Sequence, residues 1–402
     1  MIEAIKTFLV RDEAMNTRTA YSIEPLFQPL SLRSKTLRNR IVMSPMTRCL
    51  SPGGVPGQDV AGYYRRRAEA DVGLIITEGT GIDHPSALGH GSMGEQNVPV
   101  LYGESALAGW KRVVDEVHAA GGLIAPQLWH MGVFRVDHTG PFPDHPSLRP
   151  SGIWGPQGKP APLPPEYLSK VTPVTRPMSE SEIADVIASY ARGAANAKAT
   201  GFDGIAIHGA HGYLIDTFFW DETNKRTDRW GGNLAGRSRF GVEVVKAIRA
   251  AIGPDLPIIL RWSQWKQQDY DARLVRDPQE LESLLGPLGE AGVDVFDCST
   301  RIFSKPAFAG SDLTLAGWAR KVSGKPTMAV GGVGLSKDVQ SSFMGGTEAI
   351  NNLESVIRCF ERQEFDLIAV GRSLLVDPKW TQKARANIPF EPFGLHHYAS
   401  LS

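Results

Sequence analysis

Apolar residues in this chain follow two rhythms. Eight short, nearly continuous runs have the length of strands: Ile41–Met46, Val72–Glu78, Leu123–Gln127, Gly204–His208, Pro257–Arg261, Val293–Cys298, Pro326–Val330 and Leu367–Val370. Stretches with helical spacing separate them. Runs without alternation, such as Gly73-Leu-Ile-Ile and Asp366-Leu-Ile-Ala-Val, suit strands buried on both faces, as in a parallel sheet. Helix ends are marked too. Ser179-x-x-Glu182 is a capping box that opens a helix over Ser179–Ala199, and Gly253-Pro254 stops one over Arg237–Ala251. Eight β-then-α units predict an α/β fold of the (β/α)8 TIM-barrel type, in preference to a doubly wound sheet of six strands with an appendage.

One connection departs from this rhythm. Residues 130–178, between the third and fourth strands, hold 11 of the chain's 28 prolines and far exceed an ordinary βα loop. A loop of that length predicts a cap over the barrel mouth, here with a small hairpin. Residues 1–22 read as a loosely ordered N-terminal extension and 23–402 as a single domain. No internal repeat is present.

Polar residues cluster where a barrel keeps its chemistry, at the C-terminal strand ends. The first strand runs into Pro45-Met46-Thr47-Arg48, the second into Thr77-Glu78-Gly79 and the third into Gln127-Leu-Trp-His130. The fourth gives His208-Gly-Ala-His211-Gly-Tyr213 and the fifth Arg261. The seventh and eighth end in Gly331-Gly332-Val-Gly334 and Gly371-Arg372.

Composition narrows the partners. The 43 basic and 43 acidic residues cancel, so nothing favours a nucleic-acid partner. No apolar run approaches the ~18 residues of a membrane span. Glu3, Asp12 and Glu13 flank a short apolar segment, Phe8–Val10, which is unlike a signal peptide. Cys49, Cys298 and Cys359 form no C-x-x-C, which argues against disulfide, zinc-ribbon and iron–sulfur frameworks. A cytoplasmic protein is expected, and the oligomeric state is open to a homo-oligomer.

Gly331–Gly334 is either only a tight turn or, together with Gly371, the usual phosphate site of a barrel, to which Arg372 adds a planar, permanently charged fork. Gln127 and Arg261, at strand ends facing inward, need polar partners, and each taken alone is either a core hydrogen-bonder or salt-bridge partner or a cofactor contact. A flavin offers Gln127 the carbonyl and N–H edge of its pyrimidine ring. Arg261 near its N1–C2=O end would stabilise the charge formed on reduction. Thr47 is either a ligand of the flavin C4=O or a satisfied turn hydroxyl. Glu78 is either a general base or a structural carboxylate. His208 and His211 allow two readings. They could be ligands of a metal-dependent TIM-barrel hydrolase with His130, although the other strand ends offer poor further ligands. Alternatively, they could donate two hydrogen bonds to one carbonyl or nitro oxygen, with Tyr213 as a nearby proton source. The string Gly89-x-Gly91-x-x-Gly94 does not open a helix after a strand and is no dinucleotide fingerprint.

At these residues the sequence resembles the Old Yellow Enzyme family of FMN-dependent ene-reductases. The most specific block is His208-Gly-Ala-His-Gly-Tyr-Leu-Ile-Asp, running on to Asn224-Lys-Arg-Thr-Asp-Arg-Trp-Gly-Gly. Asn39-Arg-Ile-Val-Met-Ser-Pro-Met-Thr-Arg, Gln127-Leu-Trp-His and Val370-Gly-Arg accompany it in order. The resemblance implies tightly, non-covalently bound FMN touched by Pro45, Met46, Thr47, Gly79, Gln127 and Arg261, with its phosphate on Gly331, Gly332, Gly371 and Arg372. It implies that His208 and His211 hold the activating group of an electron-poor alkene and that Tyr213 is the proton donor. NAD(P)H and the alkene would take turns at one face. Some members carry Asn where this chain has His211. One subgroup has a redox-tuning Cys where Thr47 stands, and Cys49 is two positions out of register with it.

Overall fold

A computed structural model of the chain describes residues 21–91 and 96–402. Most of the expected extension over 1–22, and Gly94 of the rejected glycine string, therefore lie outside the described residues. A short antiparallel hairpin, β1 (Leu30–Leu32) and β2 (Lys35–Leu37), precedes eight parallel strands. These are β3 (Ile41–Met43), β4 (Leu74–Gly81), β5 (Ile124–Trp129), β6 (Ile205–His208), β7 (Ile258–Ser263), β8 (Val295–Ser299), β9 (Thr327–Val330) and β10 (Leu367–Val370). They close in chain order, β10 pairing with β3, which is the expected (β/α)8 barrel.

The apolar runs explain the closure. Successive strand residues face opposite sides. Val42, Leu74, Ile76, Ala125, Ala206, Ile259, Val295 and Met328 fill the barrel interior, while neighbours such as Ile41, Ile75, Ile124 and Ile258 pack outward against the helices. Leu32 and Leu37 of the hairpin join the interior cluster and seal the N-terminal end. The C-terminal end is thus left for ligands. No sequence signal singled out this hairpin, because each of its strands is only three residues long.

Helix ends follow the capping chemistry. Ser179 Oγ accepts from Glu182 N (3.2 Å) and Glu182 Oε2 accepts from Ser179 N (2.8 Å), so the helix runs Glu180–Thr200 and ends at left-handed Gly201. Asn233 caps the helix Leu234–Ile252, which stops at Gly253 as predicted.

Two differences matter for the site. The first barrel strand ends at Met43 rather than Met46; Ser44 N still donates to Val370 O (2.9 Å), and Ser44–Cys49 lines a cavity. Residues 130–178 contain a 3-10 turn (Gly132–Phe134) and one helix (Pro165–Val171), and the expected hairpin is absent. Proline has no N–H to give a strand ladder. Buried arginines hold the segment instead. Arg135 donates to the carbonyls of Leu88 (3.0 Å), Thr139 (3.0 Å) and Phe142 (2.7 Å), and Arg149 to that of Pro173 (3.0 Å). Among the described residues no helix is long and apolar enough to cross a membrane.

Candidate active site

A cavity of about 440 Å³ opens at the C-terminal ends of β3, β7, β8, β9 and β10. Ten of the predicted site residues line it: Pro45, Met46, Thr47, His211, Tyr213, Arg261, Gly331, Gly332, Gly371 and Arg372. Gly79, Gln127 and His208 are not on this wall, although the His208 ring packs on His211 and Tyr213, which are. Gly79 pairs in register with Gln127, and the Trp129 ring fills the space a Gly79 side chain would need, standing 2.7 Å from where its Cβ would lie. A larger hollow of about 670 Å³ lies elsewhere, between Gly53–Val55, Leu88–His90 and Gly140–Phe142, and gathers none of these residues.

Strained backbone presents the histidine turn. His211 has φ +65°, a conformation that costs a non-glycine residue roughly 1–3 kcal/mol and persists only where the surroundings enforce it. The enforcing contacts are visible. His211 N donates to Ser263 Oγ (2.9 Å), Gln267 N donates to His211 O (3.2 Å), and Trp265 stacks on the imidazole at 4.3 Å. Gly212 follows at φ +84°, where a Cβ would fall 1.9 Å from Gln268 Oε1. Its N–H donates to Asp216 Oδ2 (2.7 Å). Asp216 Oδ1 in turn meets Lys266 Nζ at 2.7 Å, and Lys266 donates to Ser263 O (2.7 Å), so the loop of contacts closes on itself. Both charged side chains are fully buried. Burial pushes Asp216 up and Lys266 down, and each partner opposes that for the other.

The three named side chains form one aromatic cluster. His208 lies 5.1 Å from His211 and 4.6 Å from Tyr213, ring centre to ring centre. Trp129 (5.0 Å) and Phe134 (5.1 Å) also press on the Tyr213 ring, and Trp154 of the 130–178 segment backs Phe134. Burial holds both imidazoles well below their ordinary range, with Arg261 adding to the effect on His208 and, after His208, on His211. They are neutral at pH 7 and carry one N–H each. His208 Nδ1 is buried without a hydrogen-bond partner, and His211 Nε2 sits 2.7 Å from Ser299 Oγ.

Glycine opens the opposite end of the cavity. Gly331 has φ +133°, and a Cβ there would stand 2.3 Å from Thr300 O. Arg372 donates to Lys337 O (2.7 Å) and Ser342 Oγ (2.8 Å), so it ties the 337–342 segment to the Gly371 turn. Between the two ends Arg261 pairs with Asp297 and reaches Ser44 Oγ (3.0 Å).

Glu78 takes its structural reading. Its Oε2 accepts from the N–H groups of Arg48 (2.8 Å) and Cys49 (3.1 Å), shaping the loop that carries Thr47. Burial pushes this carboxyl up to about 7 against those two bonds. The metal reading finds no support. His130, its third ligand, turns Nδ1 to Gly132 N (3.0 Å) and packs on His84, and among the described residues no group of three His, Cys, Asp or Glu is placed to hold an ion.

Sequence reasoning missed Ser44, Trp265, Tyr270, Ser299, Arg301 and Tyr398 on the cavity wall, and Asp216, Lys266 and Asp297 behind it. Asp297 had a signal, since a carboxylate inside an apolar strand run is unusual. Lys266, between Trp265 and Gln267 in a polar loop, had none.

The description "NADH:flavin oxidoreductase / NADH oxidase family" fits residues 25–391. A 12-oxophytodienoate reductase 7 of Oryza sativa subsp. japonica is 40% identical over 244 residues, 58% of this chain and 56% of its own length. A chanoclavine-I aldehyde reductase of Penicillium roqueforti is 33% identical over 377 residues, 92% of this chain and 91% of its own. The chain thus spans just over half of the rice relative and nearly all of the fungal one. Among solved structures, morphinone reductase superimposes with a TM-score of 0.74 at 27% identity, over 94% of each chain.

Proposed function

Because the chain belongs to the NADH:flavin oxidoreductase / NADH oxidase family, the Old Yellow Enzyme family its motifs resemble, we propose that His208 and His211 grip the activating oxygen of an electron-poor alkene while Tyr213 protonates its Cα. The enzyme is an FMN-dependent oxidoreductase with NAD(P)H as hydride donor. FMN, when bound, supplies the hydride that adds to Cβ. In this reading residues 23–402 act as one domain with 130–178 as its cap.

The observation that carries the substrate reading is the buried, unpartnered Nδ1 of His208 beside the Tyr213 ring. A neutral imidazole with a spare nitrogen satisfies itself by donating to a ligand oxygen, and that bond polarises a conjugated C=C. His211 supplies the second N–H, shared with Ser299. Neither ring gives up its proton, so the proton for Cα is left to the phenol, held in one orientation by three aromatic edges.

Two features support FMN at the predicted residues. Gln127 Nε2 is buried without a partner, which suits an amide facing a ring edge. Gly371 leaves floor space that a Cβ would enter, 3.6 Å from Met46 Sδ. On this reading Pro45, Met46, Thr47, Gly79 and Arg261 flank the ring, and Gly331, Gly332, Gly371 and Arg372 take the phosphate. Arg372→Lys removes the fork, so FMN affinity should fall at least about tenfold, ~1.4 kcal/mol. Riboflavin, which has no phosphate, should bind as before. Fluorescence titration of the apoprotein with both ligands checks this, and equal losses would put Arg372 outside the phosphate site.

The reaction is tested by anaerobic titration followed in visible absorbance. A yellow protein bleached by NAD(P)H and recoloured by 2-cyclohexenone is the expected result. A colourless protein that takes up no FMN would overturn the flavin reading, and one recoloured only by oxygen would overturn the alkene reading.

A further inference from the structure

We propose that Asp297 sets the reduction potential of the bound flavin by offsetting the charge of Arg261. The inference rests on the reading above that Arg261 faces the flavin. Arg261 and Asp297 are register partners on β7 and β8, so their side chains leave adjacent strands at one level. Arg261 Nε donates to Asp297 Oδ2 at 2.5 Å, with the side chains 7% and 1% exposed. Only Arg261 lines the cavity, and the carboxylate sits directly behind it.

The pair is not simply a closed structural link. Asp297 Oδ1 is buried with no hydrogen-bond partner, although an ionised carboxylate offers about four acceptor sites. A buried carboxylate left half satisfied adds little to stability, because its desolvation offsets much of what the contact with Arg261 returns. What Asp297 changes is the field in front of Arg261. Burial pushes its carboxyl up and the Arg261 guanidinium opposes that, while the 2.5 Å Nε–Oδ2 contact has the geometry of a charge-assisted pair.

Hydride transfer from NAD(P)H delivers two electrons and one proton. With FMN bound, that would place one net negative charge in front of Arg261 as NAD(P)⁺ leaves. A lone guanidinium would stabilise that charge strongly. One neutralised from behind stabilises it less, which keeps the potential low and makes the reduced enzyme a better donor to the alkene.

Dye-equilibrated spectroelectrochemistry of the holoenzyme tests this. Asp297→Asn retains an acceptor for Arg261 Nε and removes the charge. It should shift the two-electron equilibrium toward reduced flavin at least about tenfold, ~30 mV more positive. Asp297→Ser, neutral and smaller, should move the same way should the amide disturb folding, and Asp297→Glu should stay near wild type. Kinetically, the neutral variants should be reduced by NAD(P)H at least as fast as wild type but reduce the alkene more slowly, a split that mere loosening of Arg261 does not produce. Unchanged potentials in FMN-loaded Asn and Ser variants would overturn the proposal. Failure of the wild-type protein to bind FMN would instead overturn the reading on which it rests.

Discussion

Tyr213→Phe should lower the rate at which 2-cyclohexenone reoxidises the reduced enzyme by about 10²-fold or more, within the ~10²–10⁴ that a positioned acid contributes. The ring should stay where it is. Trp129, Phe134 and His208 press on its edges at 5.0, 5.1 and 4.6 Å, and phenylalanine presents the same edges. The change is therefore confined to the O–H. Reduction of the flavin by NAD(P)H needs no proton from this position, so that half-reaction should stay within about threefold of wild type, as uniform packing changes would not allow. Anaerobic stopped-flow absorbance separates the two. Equal losses in both half-reactions would mean that Tyr213 organises the cavity rather than protonating Cα.

The barrel was legible in the sequence because burying a parallel strand on both faces leaves an unbroken apolar run, and eight such runs leave few topologies. The rim was legible for a related reason. Polar residues that follow such runs must stand at strand ends, and ten of the predicted ones line one cavity. Local reading stopped where a role depends on a partner distant in sequence. His208 ends its strand as expected, but β4 continues to Gly81 and β5 to Trp129, so Gly79 and Gln127 lie inside the ladder, paired with each other and off the cavity wall. The missing cap hairpin was a failure of another kind. The length of 130–178 indicated a separate structure, but its prolines remove ladder donors, and buried Arg135 and Arg149 satisfy the loop carbonyls instead. Ser299 and Lys266 look like ordinary polar residues until β8 and the loop after β7 bring them to His211 and Asp216.

That last pair has the largest expected effect on stability. Lys266→Met leaves Asp216 buried without its counter-ion, and breaking such a pair costs about 3–5 kcal/mol. Asp216→Asn strands the ammonium at similar cost. The two variants should nonetheless respond to pH with opposite sign. In Lys266→Met the Asp216 carboxyl is raised by burial, with only the Gly212 N–H bond left to oppose it. The folded form then holds a proton that the unfolded form releases from pH ~3.9 upward, so the penalty is small in mild acid and grows as pH rises. In Asp216→Asn the Lys266 amine is lowered by burial alone. Below pH ~10.4 the unfolded form holds a proton that the folded form sheds, so stability relative to wild type climbs from neutral pH toward that value. Urea unfolding of both variants against wild type at pH 5, 7 and 9 reads the slopes directly. Parallel slopes would show that the cavity admits enough water to solvate either charge. The double variant Lys266→Met with Asp216→Asn should regain most of the loss with no slope, because neither charge is left buried and the amide oxygen still accepts from Gly212 N. It should also keep alkene reduction closer to wild type than either single change, since what the ion pair contributes to catalysis is the left-handed turn that aims His211 and Tyr213 into one cavity.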